Sequence, residues 1–110
     1  MAMILREEVN QLHANICNGL ADPIRILILY KLSENPTSVN DLANAINLSQ
    51  PTASRQLKIL KDRGLVISKR DGQFVFYHLA DPRIIQALDL MRAVMAETLK
   101  KQADLASIDI

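Results

Sequence analysis

One amide, two hydroxyls and one guanidinium fall within the six residues Gln50-Pro51-Thr52-Ala53-Ser54-Arg55. These are hydrogen-bonding groups of the kind that read base edges: Arg forks onto guanine O6 and N7, Gln onto adenine, and Ser or Thr fits either. The chain offers no nucleophile–base pair and no glycine-rich phosphate loop, so an enzyme is not expected. The basic residues extend the same theme. Arg55, Lys58, Lys61, Arg63, Lys69 and Arg70 face one acid, Asp62, a local balance of +5 in a chain of net charge +1, which leaves −4 for the remainder. Positive charge concentrated in this way suits a surface that meets a polyanion. Lys58, Lys61 and Arg63, farther from the polar cluster, are expected to neutralise phosphates.

Such groups need an element to present them. Ser49 is a good N-cap and Pro51 fits a first turn, so a helix starts there. At about 100° per residue, Ala53, Leu57 and Leu60 share one face, Pro51, Arg55, Lys58 and Asp62 point away, and Thr52 and Ile59 lie on a flank. Gly64 ends it. Upstream, "SVNDLANAI" carries an apolar stripe of Val39, Leu42, Ala43 and Ile46, and only a short connection at Asn47-Leu48 intervenes. Two short helices joined this closely form a helix-turn-helix, whose second helix enters the major groove by its N-terminal end. Downstream, "LVISKR" and "QFVFYHL" flank Asp71-Gly72, predicting a two-residue hairpin turn with Lys69, Arg70 and Gln73 at the tip of a wing. His78 alternates with Phe74 and Phe76 on the outer side.

Three more helices complete the pattern. Leu5, Val9, Leu12 and Ile16 mark an amphipathic helix ending near Asn18-Gly19. Asp22-Pro23 starts "IRILILYKL", apolar almost all round and expected to be buried, and Glu34-Asn35-Pro36 breaks it. Asp81-Pro82 starts a last helix with Ile84, Leu88, Met91, Met95 and Leu99 in line. The expected fold is mainly α with a β-hairpin, in the order α-α-α-α-β-β-α, a single domain over residues 1–110. Leu5, Val9 and Leu12, with Leu88, Met91, Met95 and Leu99, are more apolar surface than one core needs, so a homodimer through the first and last helices is expected.

The totals agree with a packed globule: 110 residues, 49% apolar, 23% charged, two Tyr, two Phe and no Trp. The longest apolar run, Ile26 to Tyr30, is far below the roughly 18 residues of a membrane span. The opening "MAMILREEVNQLHANI" lacks a signal-peptide pattern. A lone Cys17 cannot form an internal disulfide, which fits a cytoplasmic location.

"NGLADPIRILILYKLSE", "LSQPTASRQLKILKDRGLV" and "SKRDGQFVFYHLADPRI", in that order, resemble the ArsR/SmtB family of bacterial winged-helix repressors, over roughly Gly19 to Ile84. The resemblance implies a homodimer, operator DNA as partner, and base contacts from Gln50, Ser54 and Arg55, the last at a position where many relatives carry His. It also implies where relatives bind metals. The soft-metal motif aligns with "TSVNDLA", where Ser38 and Asn40 supply no thiolate. The C-terminal-helix site aligns with Asp81, Arg83, Val94 and Glu97, which keep two of four ligands and would serve zinc poorly. No metal and no other cofactor is therefore expected, and no inducer is assigned. His13 and Cys17, four residues apart, share a helix side and could ligate a metal across a dimer, although packing is the commoner role of such a pair. Asp41 and Asp81 read as solvent-facing and cap residues. Two alternatives stand beside the repressor: a thiol-responsive regulator acting through Cys17, and a winged-helix protein-interaction module that does not bind DNA.

Overall fold

Three side-chain caps start three of the helices. The Asp22 carboxylate accepts from the Ile24 N–H at 2.8 Å and opens α2 (Pro23–Glu34). Ser38 accepts from the Asp41 N–H at 3.3 Å and opens α3 (Val39–Ala45). Ser49 accepts from the Thr52 N–H at 3.3 Å and opens α4 (Gln50–Asp62). Each bond satisfies a donor that the first helical turn leaves without a partner. The computed structural model describes residues 2–108. Ahead of these helices lies α1 (Ala2–Gln11), and after them β1 (Val66–Asp71), β2 (Phe74–Leu79) and α5 (Arg83–Ile108), so the order expected from the sequence is the order observed.

α1 departs from the expected regular helix. Its rod continues as a π-helical segment, Leu12–Cys17, before Asn18 and Gly19 close it. α2 also differs from expectation. Ile28, Leu29 and Leu32 are buried, but Leu27 is 56% exposed. A single small core covers only one side of a helix, and α2 keeps a solvent face in the protomer.

The core is one cluster. Ile28, Leu29 and Leu32 of α2, Leu42 of α3, and Leu57 and Leu60 of α4 meet Leu65 and Val66, and Ile84, Ile85 and Leu88 of α5 pack against them. The connection between α3 and α4 runs through Asn47 at φ 55°, a left-handed conformation that Asn tolerates better than most residues.

The hairpin is antiparallel, in register from Val66 opposite Leu79 to Asp71 opposite Phe74. Asp71 is thus paired, and the loop is Gly72-Gln73 rather than the expected Asp71-Gly72. Gly72, at φ 63°, takes the first loop position, where a type II′ turn calls for glycine. A third partner was not expected: Thr37 and Tyr77 exchange backbone bonds of 3.1 and 2.9 Å, fastening the wing to the α2–α3 connection. Among the described residues, no helix is long and apolar enough to cross a membrane.

Candidate nucleic-acid interface

α4 is seated by Ala53, Leu57 and Leu60, all fully buried, and this fixes what faces outward. Gln50, Pro51, Ser54, Arg55, Lys58 and Asp62 are exposed, as the helical spacing predicts. Thr52 is half-buried, and its hydroxyl oxygen accepts from Ser49 Oγ at 2.8 Å and from Arg55 Nη2 at 3.3 Å. The cap residue therefore orients Thr52, and Thr52 steadies Arg55. Gln50 does not stand alone. It lines a cleft of about 440 Å3 with Ser38, Asn40, Asp41, Gln73 and Phe74, which brings the start of α4 together with the tip of the wing.

The basic residues divide. Lys58 pairs with Asp62 at 3.2 Å in an exposed i,i+4 arrangement, a contact worth only about 0.3–0.5 kcal/mol and easily exchanged. Lys61 Nζ donates to Ser68 Oγ at 2.8 Å and ties α4 to β1. Lys69 and Arg70 are exposed, and as consecutive strand residues they leave opposite faces of the ribbon. Arg63 is placed differently from Lys58 and Lys61. It is half-buried, and its Nη1 donates to the Ala14 carbonyl of the π-helical segment at 3.0 Å. At about 100° per residue it lies on the flank of Gln56, opposite Lys61, so it turns toward the first helix and away from the other cations.

The residues expected at the dimer surface fall in two groups. Leu5, Val9, Leu12, Met91, Met95 and Leu99 are between 49% and 70% exposed. Leu88 is half-buried against the core. Ile4, Leu90, Val94 and Leu105 are also exposed and widen the apolar surface. Cys17 and His13 are both exposed in the protomer, where the sequence favoured packing. His78, opposite Ile67 in the hairpin, is half-buried.

Asp81 is more than a cap. Arg83 Nη2 and Nε reach its carboxylate at 2.7 and 3.1 Å, and the Arg83 N–H adds a bond of 2.8 Å. The Arg83 side-chain bonds, then the backbone bond, hold the Asp81 carboxyl down at about 2, against an ordinary value of 3.8. Among the described residues of one protomer, no three His, Cys, Asp or Glu side chains gather as a metal site would require.

Sequence reasoning missed Arg25. This guanidinium, 11% exposed, donates to the Gly19 carbonyl at 2.8 Å, the Asn18 carbonyl at 3.1 Å and Gln56 Oε1 of α4 at 3.0 Å, with Asp22 at 3.6 Å. The available signal was a lone cation inside the apolar run "IRILILY". Also missed was the Tyr30 hydroxyl, which donates to Asp89 at 2.6 Å beneath Arg92, whose guanidinium lies 5.1 Å from the ring centre. This cluster joins α2 to α5.

Comparison with known proteins gives concordant results. Residues 22–68 match the family described as bacterial regulatory protein, arsR family. The chain is 41% identical over 76 residues to the HTH-type transcriptional regulator NmtR of Mycobacterium tuberculosis, covering 69% of this chain and 63% of that protein, thus under two thirds of the relative's length. It is 32% identical over 90 residues to the biofilm growth-associated repressor of Xylella fastidiosa, covering 82% and 78%. The homodimeric winged helix-turn-helix DNA-binding domain Mb0332 of Mycobacterium bovis, solved by NMR, superposes with a TM-score of 0.75 at 29% identity, covering 84% of each chain.

Proposed function

This chain belongs to the ArsR family of bacterial regulatory proteins, and from that premise we propose that it is a homodimeric transcriptional repressor that binds an imperfect DNA palindrome. The observation that carries this reading is the start of α4, where exposed Gln50, Ser54 and Arg55 surround the Ser49–Thr52 cap beside the wing. These three side chains contact base edges; Lys58, Lys61, Lys69 and Arg70 contact phosphates; Gln73 reaches from the wing. Thr52 serves chiefly to orient Arg55, and Arg63 is left out of the DNA-facing set because it is spent on Ala14. The dimer forms through α1 and α5, in keeping with the homodimeric Mb0332 domain and the exposed apolar rows on both helices. Two-fold symmetry then sets the recognition helices about 34–36 Å apart, in successive major grooves.

The C-terminal-helix metal site of relatives does not fit this chain. Both oxygens of Asp81 are occupied by Arg83, a guanidinium stands where an imidazole is wanted, and Val94 offers no donor. No step of repression is routed through a metal. A thiol-responsive form of the same repressor has one observation in its favour, the exposure of Cys17 beside the dimer-forming helix. Oxidant that releases the wild type from DNA, but not Cys17→Ser, would establish it.

The deciding experiment is selection from random duplex DNA followed by a salt titration. A two-fold symmetric sequence should be enriched, and log affinity should fall linearly with log salt. Failure to enrich any sequence would overturn the repressor and favour the protein-interaction module.

A further inference from the structure

We propose that Arg25 and Gln56 are positioning residues that hold the recognition helix at a set angle to the dimer-forming helix, and so determine which spacing of half-sites the dimer accepts. The inference rests on the dimeric DNA-binding reading above and adds to it a source of operator specificity that touches no base.

The geometry begins at the end of the first helical rod. The last carbonyls of a helix have no intrahelical partner and carry partial negative charge, so a cation there is favoured. Arg25 takes two of them, Asn18 and Gly19, with Nη2 and Nε, and its Nη1 crosses to the Gln56 amide oxygen in the middle of α4. The planar guanidinium holds its donors in a fixed fork, so these three bonds constrain direction as well as distance. A second attachment lies at the C-terminal end of α4, where Arg63 donates to the Ala14 carbonyl. Between the two, Gly19 is buried so tightly that an added Cβ would stand 2.6 Å from Leu65 Cδ1.

Ala53, Leu57 and Leu60 seat α4 in the core, but Ile16 and Leu20 at the end of the first rod are only partly buried against it, so two polar bonds define the angle between that rod and α4 where one would leave a pivot. With Gln56 and the end of α4 both tied to the first rod, the free end bearing Gln50 and Arg55 cannot swing. An apolar side chain at residue 25 would pack the same gap, but a cation that is 11% exposed must be compensated by every bond it makes. Such a group contributes orientation more than stability. In a dimer built on α1 and α5, each α4 is therefore fixed relative to its partner. DNA presents half-sites in steps of about 3.4 Å and roughly 35° per base pair, so a rigid dimer selects one spacing and a pivoting dimer tolerates its neighbours.

The test uses the full chain and an operator it selects from random duplex DNA, together with versions carrying one base pair more or one fewer between half-sites, and an isolated half-site. Wild type should lose roughly tenfold in affinity for either altered spacing, since protein or DNA must be deformed to engage both half-sites. Gln56→Ala should hold the isolated half-site as wild type does but bind all three spacings within about twofold. Gln56→Glu restores an acceptor for Arg25 and should recover the wild-type ratio, even if its charge weakens every duplex alike. Arg25→Lys, which keeps the charge but not the fork, should behave as Gln56→Ala. Spacing selectivity unchanged in both Gln56→Ala and Arg25→Lys overturns the inference. So does a loss of half-site binding equal to the loss of full-site binding, which would mark these residues as parts of the helix's own fold. If wild type selects no operator, the repressor reading fails first and this inference falls with it.

Discussion

Arg55 stands at the exposed start of α4, held among the described residues by a long 3.3 Å bond to Thr52 that a guanine edge can replace. Arg55→Ala is therefore expected to lose about 1–3 kcal/mol of discrimination, the worth of one forked hydrogen-bond pair, while scrambled DNA is bound much as before. Competition binding with operator and scrambled duplex measures this, and an unchanged ratio would remove Arg55 from base reading. Asp81 supports a different prediction. Its carboxyl is held at about 2 by Arg83, so an NMR titration should show its midpoint there, and Arg83→Ala should return it toward 3.8. A carboxyl whose folded value is depressed stabilises the fold above its unfolded value and loses that contribution as pH falls through the folded one. The Asp81 contribution should therefore be complete at neutral pH and vanish only between about 4 and 2. A midpoint near 4 in the wild type would show that the pair is not formed in solution.

At the scale of elements, the wing and the first helical rod each make a contribution that can be tested separately. Lys69 and Arg70 lie on an exposed part of the hairpin, beyond the Ser68–Tyr77 pair that Lys61 and Thr37 anchor, so their removal should leave the fold intact. Lys69→Ala or Arg70→Ala should weaken all sequences alike and flatten the salt dependence by about 0.9 log unit for each phosphate left unneutralised. An unchanged slope in both would make the wing a bystander. Gly19 sets the approach of the first rod to the core. Gly19→Ala gains up to about 1 kcal/mol of helix preference but drives a methyl into Leu65, where overpacking costs about 1–3 kcal/mol. The net is destabilisation, seen as a lower urea midpoint at fixed protein concentration; an equal or higher midpoint would show that Leu65 can yield.

For the whole molecule, the question is what covers the apolar rows of α1 and α5. Leu88 and Met95 lie on the same row but are not equivalent probes. Leu88 packs against the core, so a charge there would damage the protomer itself, whereas Met95 is 57% exposed and free of the core. Met95→Glu is therefore expected to give folded monomers in sedimentation. Those monomers should bind a full operator far more weakly than wild type, because joining two half-sites raises the effective local concentration of the second. A Met95→Glu protein that stays dimeric would place the interface elsewhere on the chain.

The sequence by itself determines those features that depend on neighbours within one or two turns. The caps at Asp22 and Ser49, the buried row Ala53, Leu57 and Leu60, and the outward set Gln50, Ser54 and Arg55 follow from spacing alone, because helix geometry carries each residue to its side whatever packs against it. The order of elements follows for the same reason, and the family resemblance agrees with it. What tertiary structure decides is which flank meets which neighbour. Arg63 reads as one more cation beside Lys58 and Lys61 until the first rod meets the C-terminal end of α4, and only then does Ala14 claim it. The Thr37–Tyr77 bridge joins residues 40 positions apart by backbone groups that have no sequence signature. Arg25 and Gln56, 31 positions apart, meet only because the end of the first rod and the start of α2 converge on the middle of α4. Local periodicity assigns a side chain to a face, but a bond across elements requires the relative placement of two rigid bodies, and that is set by the packing of the core as a whole.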